Sequence, residues 1–99
     1  LYDAYHEIVP VERRKGRSEI VDVVGPVCES GDYLARGRKI SYPEQSDLLA
    51  VENAGAYGFA MSSQYNSRPR AAEVLVDGET VQLIRRRETY DDLVAAERI

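Results

Sequence analysis

The chain has 99 residues, 43% of them hydrophobic and 30% charged, with a formal net charge of −4. That is enough for one small soluble domain, and no apolar run approaches the ~18 residues a membrane span needs. Cations cluster at Arg13-Arg14-Lys15, at Arg36, Arg38 and Lys39, and at Arg85-Arg86-Arg87, but the acidic balance argues for solvated loops over a nucleic-acid face. The single cysteine, Cys28, excludes an intrachain disulfide and accords with a reducing, cytoplasmic setting. The opening Leu1-Tyr2-Asp3-Ala4-Tyr5-His6 lacks a basic segment followed by an apolar run, so it does not read as a signal peptide. Since the only methionine is Met61, the chain reads as a piece of something longer, folding as a single domain over residues 1–99.

Residues 6–12 alternate in a strand-like way, and the charged stretch 13–18, which contains Gly16, reads as a hairpin loop. Glu19-Ile20-Val21-Asp22-Val23-Val24-Gly25-Pro26-Val27 is rich in β-branched residues and closes on Gly and Pro punctuation. Its apolar side chains fall on both parities, which predicts a strand mostly buried on both faces. Leu48-Leu49-Ala50-Val51 is a further short strand. The clearest hairpin is 72–86, where Asp77-Gly78 forms a two-residue loop tolerant of positive φ. That register sets Val76 against Glu79, Val74 against Val81 and Ala72 against Leu83, all on one face and apolar except for Glu79. Helix is expected only at the end. Thr89 can cap, Asp92 stands three residues on, and Tyr90, Leu93, Val94 and Glu97 keep helical spacing, giving an amphipathic helix from Tyr90 to Arg98. Many short strands with one short C-terminal helix predict a mainly β fold, a barrel or a sandwich.

Chemistry concentrates near Cys28, which ends the apolar strand and opens the polar turn Glu29-Ser30-Gly31-Asp32. On residue type a lone cysteine is more often a small buried hydrophobe than a reactive group. Its position at the break of a strand into a loop, beside Glu29 and Asp32, favours function, because rigid scaffolds present working groups on loops. Metal binding by Cys28, Glu29, Asp32 and His6 is disfavoured, since one Cys and one His offer no paired ligand spacing, and no metal is expected. A Cys28–His6 nucleophile pair exists in composition, but nothing in the sequence sets the two side by side. Asn53-Ala54-Gly55-Ala56-Tyr57-Gly58 reads equally as a glycine-rich bend in a barrel strand or as backbone that approaches a ligand with the Tyr57 phenol turned toward it.

Several stretches together resemble one family. Gly25-Pro26-Val27-Cys28-Glu29-Ser30-Gly31-Asp32 resembles the cysteine motif of diaminopimelate decarboxylases, within the alanine-racemase-like class of enzymes dependent on pyridoxal 5′-phosphate (PLP). Ala54-Gly55-Ala56-Tyr57-Gly58, Met61-Ser62-Ser63, Tyr65-Asn66-Ser67-Arg68-Pro69-Arg70 and Glu73-Val74-Leu75-Val76 follow in that family's order, and Leu1-Tyr2-Asp3-Ala4-Tyr5-His6 resembles the segment before its cysteine strand. The likeness runs over essentially the whole chain.

The resemblance implies most of the C-terminal β domain of a longer enzyme, whose N-terminal (β/α)8 barrel carries the PLP-linked lysine outside this chain. It implies a homodimer with shared active sites, in which the cysteine turn reaches the other subunit's barrel, and the decarboxylation of meso-diaminopimelate to lysine. By resemblance Cys28 is the proton donor and Glu29 contacts the substrate's distal ammonium. Tyr2 helps to hold the distal carboxylate, and Tyr57 lies near the cofactor phosphate and the substrate. A thiol, with a reference pKa of about 8.5, is mostly protonated at neutral pH and can act as a general acid. The PLP lysine, the phosphate-binding glycine loop and the arginines expected for the distal carboxylate are not in the chain, so the isolated polypeptide is expected to be inactive. Two rival readings are a related decarboxylase of ornithine, arginine or carboxynorspermidine, whose ornithine-type members usually carry Asp after the cysteine, and a non-enzymatic β-barrel binding module. One Phe and no Trp argue against the second.

Overall fold

The computed structural model describes residues 4–12, 16–41 and 43–99. The chain gathers into two compact units, Leu1–Gly55 and Ala56–Ile99. It is mainly β, as expected, but its strands form three separate two-stranded antiparallel ladders, with no closed barrel among the described residues.

In the first unit, β1 (Ile8–Pro10) pairs with β4 (Leu49–Val51), and β2 (Ser18–Val24) pairs with β3 (Tyr33–Ser41). The expected hairpin between residues 6–12 and the next strand does not form, because the partner of β1 is β4. Residues 13–15 of its proposed loop lie outside the described residues. Ile8, Ala35 and Ile40 make the buried core, at 2%, 4% and 6% exposure. Ala35 and Ile40 have opposite parity, so a regular strand would turn them to opposite faces. The β2–β3 register shifts between Val21 and Val23, where β3 carries an extra residue, and Gly37 there adopts φ +58°. This is a glycine bulge, and it brings both side chains back to the core side. The Asp22 carboxylate accepts from the Gly37 amide at 2.8 Å, satisfying a donor that the bulge frees from the ladder.

β2 departs from the expected two-sided burial. Its exposure alternates along the strand, with Ile20 at 74% and Val24 also exposed, since no described element covers that face. On the other side of the unit, Arg38 donates to the His6 carbonyl at 2.6 Å and stacks over the Tyr5 ring at 4.0 Å, tying β3 to the lead-in of β1.

The second unit holds the hairpin of β5 (Glu73–Asp77) and β6 (Thr80–Arg85). Its register is Val74↔Leu83, Val76↔Val81 and Asp77↔Thr80, so the loop is Gly78-Glu79 and not Asp77-Gly78. Gly78 alone takes a positive φ, +59°, at the first loop position, which is type II′ chemistry; a type I′ turn on these two residues would require Glu79 to do the same. The shift is two residues, so parity is kept and Val74, Val76, Val81 and Leu83 still share a face. Helix is also not confined to the end: α1 (Gly55–Ala60) forms where a bend in a strand was one expectation, and Met61 N donates to the Tyr57 carbonyl at 3.0 Å. α2 (Tyr90–Val94) begins at Thr89 with a complete capping box to Asp92, as the spacing predicts, and passes into a 3-10 turn at Ala95–Glu97.

Candidate functional site

The β2–β3 connection, residues 25–32, presents Cys28. It is closed by backbone bonds, Gly25 N donating to the Asp32 carbonyl at 2.8 Å and Asp32 N to the Glu29 carbonyl at 3.0 Å. Inside the loop the Asp32 carboxylate accepts from Val27 N at 2.9 Å, and Glu29 N donates to the Val27 carbonyl at 2.9 Å. Arg36 Nη2 donates to the Ser30 carbonyl at 3.2 Å while its guanidinium stacks over Tyr33 at 4.0 Å. Gly25 is required here, because a Cβ at that position would overlap the Asp32 carboxylate. The loop is therefore held on both sides of residue 28 by bonds that do not use the thiol.

Cys28 is exposed, so the buried-hydrophobe alternative fails for the described chain. Glu29 follows it, with Oε1 accepting from Gly31 N at 3.1 Å. That short-range bond orients the carboxylate and leaves Oε2 without a partner among the described residues. An exposed thiol beside a carboxylate can pass a proton and pair with a cation. His6 is engaged elsewhere, its Nδ1 lying 2.9 Å from the Glu52 carbonyl.

Tyr57 stands in α1 of the second unit, 72% exposed. Phe59, in the same helix, has the Arg85 guanidinium at 3.9 Å and that of Arg70 at 4.7 Å from its ring centre. Arg70 is fixed in turn by Glu88, which accepts from Arg70 Nε at 2.7 Å and Arg70 N at 2.8 Å, and from Gln64 at 3.1 Å. These bonds hold the Glu88 carboxyl down at about 2, the Arg70 side chain contributing most. Tyr2 lies outside the described residues.

From sequence, Asp32 counts only as one of two carboxylates near the thiol, and Gly25 only as strand punctuation. Their signal was available: an Asp closing a short polar loop bonds backbone amides, and a Gly before a Pro marks a tight place. The Arg70–Glu88 pair carries no local signal, since it joins residues 18 apart. A cleft of about 300 Å3 is lined by Pro10, Ser41, Pro43, Leu48 and Leu49 among others and includes no residue of the cysteine turn.

Residues 1–55, cysteine turn included, match the family described as pyridoxal-dependent decarboxylase, C-terminal sheet domain, and the chain belongs to that family. Its relatives carry a more particular name. Diaminopimelate decarboxylase of Aquifex aeolicus is 56% identical over 94 residues, 95% of this chain and 22% of that protein. The diaminopimelate decarboxylase of Archaeoglobus fulgidus is 51% identical over 100 residues, 100% of this chain and 24% of that protein. Among solved structures, diaminopimelate decarboxylase from M. jannaschii in co-complex with L-lysine superposes with a TM-score of 0.90 at 41% identity, covering 99% of this chain and 22% of that one. The chain thus spans just under a quarter of the length of the relatives it matches.

Proposed function

We propose that the chain is the cofactor-facing β domain of a PLP-dependent diaminopimelate decarboxylase, which converts meso-2,6-diaminopimelate to L-lysine and CO2. The observation that carries this reading is the exposed Cys28 in a turn braced from both sides, within the stretch that matches the decarboxylase domain. The names of the relatives support the substrate, and Glu29 after the cysteine leans away from ornithine-type enzymes. The many exposed apolar side chains, among them Ile20, Val24, Val76 and Val81, accord with a domain that meets further protein, here the enzyme's N-terminal barrel and a second subunit. The single exposed thiol suits the reducing cytoplasm, and no described helix is long and apolar enough to cross a membrane.

The described residues fit a contributing share in a PLP site. Cys28 and Tyr57 are exposed and available to a group presented from outside, whereas Lys39, the one lysine among the described residues, lies in strand β3. The family resemblance puts the covalent attachment on a lysine beyond this chain and Tyr57 beside the cofactor phosphate and the substrate. When bound, PLP supplies the electron sink that allows the bond to CO2 to break. Cys28 then delivers the proton on Sγ to the carbon that has lost CO2. Glu29, with Oε1 held by Gly31 N, turns Oε2 to the distal ammonium of the substrate, and Tyr2 helps to hold its distal carboxylate.

In the full-length enzyme Cys28→Ala should lower kcat by about 10²–10⁴-fold and change KM much less. An unchanged kcat would remove the proton-donor role. Glu29→Gln should weaken substrates with a distal ammonium by about tenfold or more; an equal loss for analogues lacking that ammonium counts against the contact.

A further inference from the structure

Among the described residues Cys28 has no hydrogen bond that could aim it, so its direction is set by the backbone on either side. The residue immediately before it, Val27, gives its amide to Asp32 Oδ2 at 2.9 Å. The strand exit at Gly25 gives its amide to the Asp32 carbonyl at 2.8 Å. One residue thus receives both donors that the chain releases on leaving β2, and a Cβ at Gly25 would have to occupy the place of its carboxylate. Asp32 is half-buried, and among the described residues no cation pairs with its carboxylate. A carboxylate placed this way works as a backbone acceptor, and its charge is not what the contact needs.

We propose that Asp32 is a positioning residue for the decarboxylation: it clamps the backbone at Gly25 and Val27 and thereby fixes the direction from which Cys28 offers its proton. This rests on the proton-donor reading of Cys28. The clamp acts on one side of the thiol, while the bond from Arg36 to the Ser30 carbonyl, 3.2 Å, braces the other. Losing the clamp frees the peptide before Cys28 to rotate and moves Sγ from its line of delivery. Glu29 keeps the bonds that do not use the Asp32 carboxylate, from Gly31 N to its Oε1 and from Asp32 N to its carbonyl, so kcat suffers far more than KM.

The test uses the full-length enzyme with Asp32→Ala, Asp32→Asn, Gly25→Ala and Cys28→Ala. Asp32→Ala should lower kcat about 10–100-fold with KM nearly constant. Asp32→Asn keeps the acceptor oxygen for Val27 N and should recover most of that loss. Gly25→Ala, which leaves Asp32 in the chain but displaces its carboxylate, should resemble Asp32→Ala. A stereochemical readout separates positioning from general loosening. With turnover in D2O, the parent should place deuterium on one face of the carbon that lost CO2, and Asp32→Ala on both. Wild-type kcat and stereochemistry in Asp32→Ala, alongside a crippled Cys28→Ala, overturn the positioning role alone. So does an Asp32→Asn variant as poor as Asp32→Ala, or a parallel loss of kcat and affinity. A fully active Cys28→Ala overturns the underlying reading and the inference with it.

Discussion

The two units brace their polar loops by different means. In the first, the cysteine turn is held by peptide groups, the Asp32 carboxylate and a close-fitting glycine, and its one arginine, Arg36, donates to a carbonyl and stacks on Tyr33. In the second, charge does the bracing: Arg70 and Glu88 at 2.7 Å, Arg85 and Glu73 at 2.7 Å, Arg86 and Asp92 at 2.6 Å, with Phe59 close to two guanidinium groups. On the proposed reading, a turn that offers Glu29 to a cationic group gains from having its one arginine, Arg36, engaged with a carbonyl and a ring instead of with that carboxylate. The second unit is under no such restriction, and its loop 61–70 is anchored by an ion pair instead. Perturbing the first unit should therefore change turnover and spare stability, and perturbing the second should do the reverse.

The largest test of that contrast on the second side is Glu88, because Arg70 and Gln64 lose their shared acceptor at once. Its carboxyl sits at about 2 against an ordinary 4.5, so folding favours the ionised form. The stabilisation is complete above pH 4.5, fades as the pH falls from 4.5 toward 2, and vanishes once both states are protonated. Glu88→Gln should lower the denaturation midpoint by a constant amount from neutral pH down to about 5 and converge on the parent in stronger acid. A difference that does not depend on pH would mean that packing, not charge, joins these residues. Asp92 is likewise held well below the usual carboxylate range, mainly by Arg86, so acid should weaken the start of α2 as well.

This difference in means also explains what could be read from sequence. The Thr89–Asp92 box and the shared face of Val74, Val76, Val81 and Leu83 are local patterns, and both were legible. The hairpin's register was not: a slip of two residues preserves the face, Gly78 takes a positive φ in either turn, and only the lack of a positive φ at Asp77 separates Gly78-Glu79 from a type I′ Asp77-Gly78. The pairing of β1 with β4 depends on contacts about 40 residues apart, which no local period encodes. At the site, Cys28 and Glu29 stood out through motif resemblance, whereas the clamp that holds them joins backbone amides to the Asp32 carboxylate, and its only local signal is an Asp that closes a short polar loop.

A smaller effect is expected at the Gly78 turn. A Cβ there meets nothing within 4 Å, so Gly78→Ala isolates the backbone term. With φ at +59°, the substitution should cost roughly 1–2 kcal/mol. Gly78→Asn should cost less, since Asn tolerates this region better. Equal loss in both would point to a contact with another part of the enzyme at that turn and not to backbone strain.

The smallest effect is expected at Thr89, and it asks whether the ion-paired unit relies on charge alone. Thr89 Oγ1 accepts from Asp92 N at 3.3 Å, and Asp92 Oδ2 accepts from Thr89 N at 2.8 Å while also pairing with Arg86 at 2.6 Å. Thr89→Ala removes the first of these bonds, together with the one the Thr89 hydroxyl donates to Asp92 Oδ2 at 3.1 Å, keeps the others, and should cost about 1 kcal/mol. Thr89→Ser restores an acceptor and should return most of it. If Thr89→Ala is silent, the Arg86–Asp92 pair is sufficient to start α2, and the contrast between a charge-braced and a backbone-braced unit becomes sharper. If the loss reaches that of Glu88→Gln, the capping bond matters as much as the ion pairs, and the second unit, too, depends on neutral acceptors at its helix start.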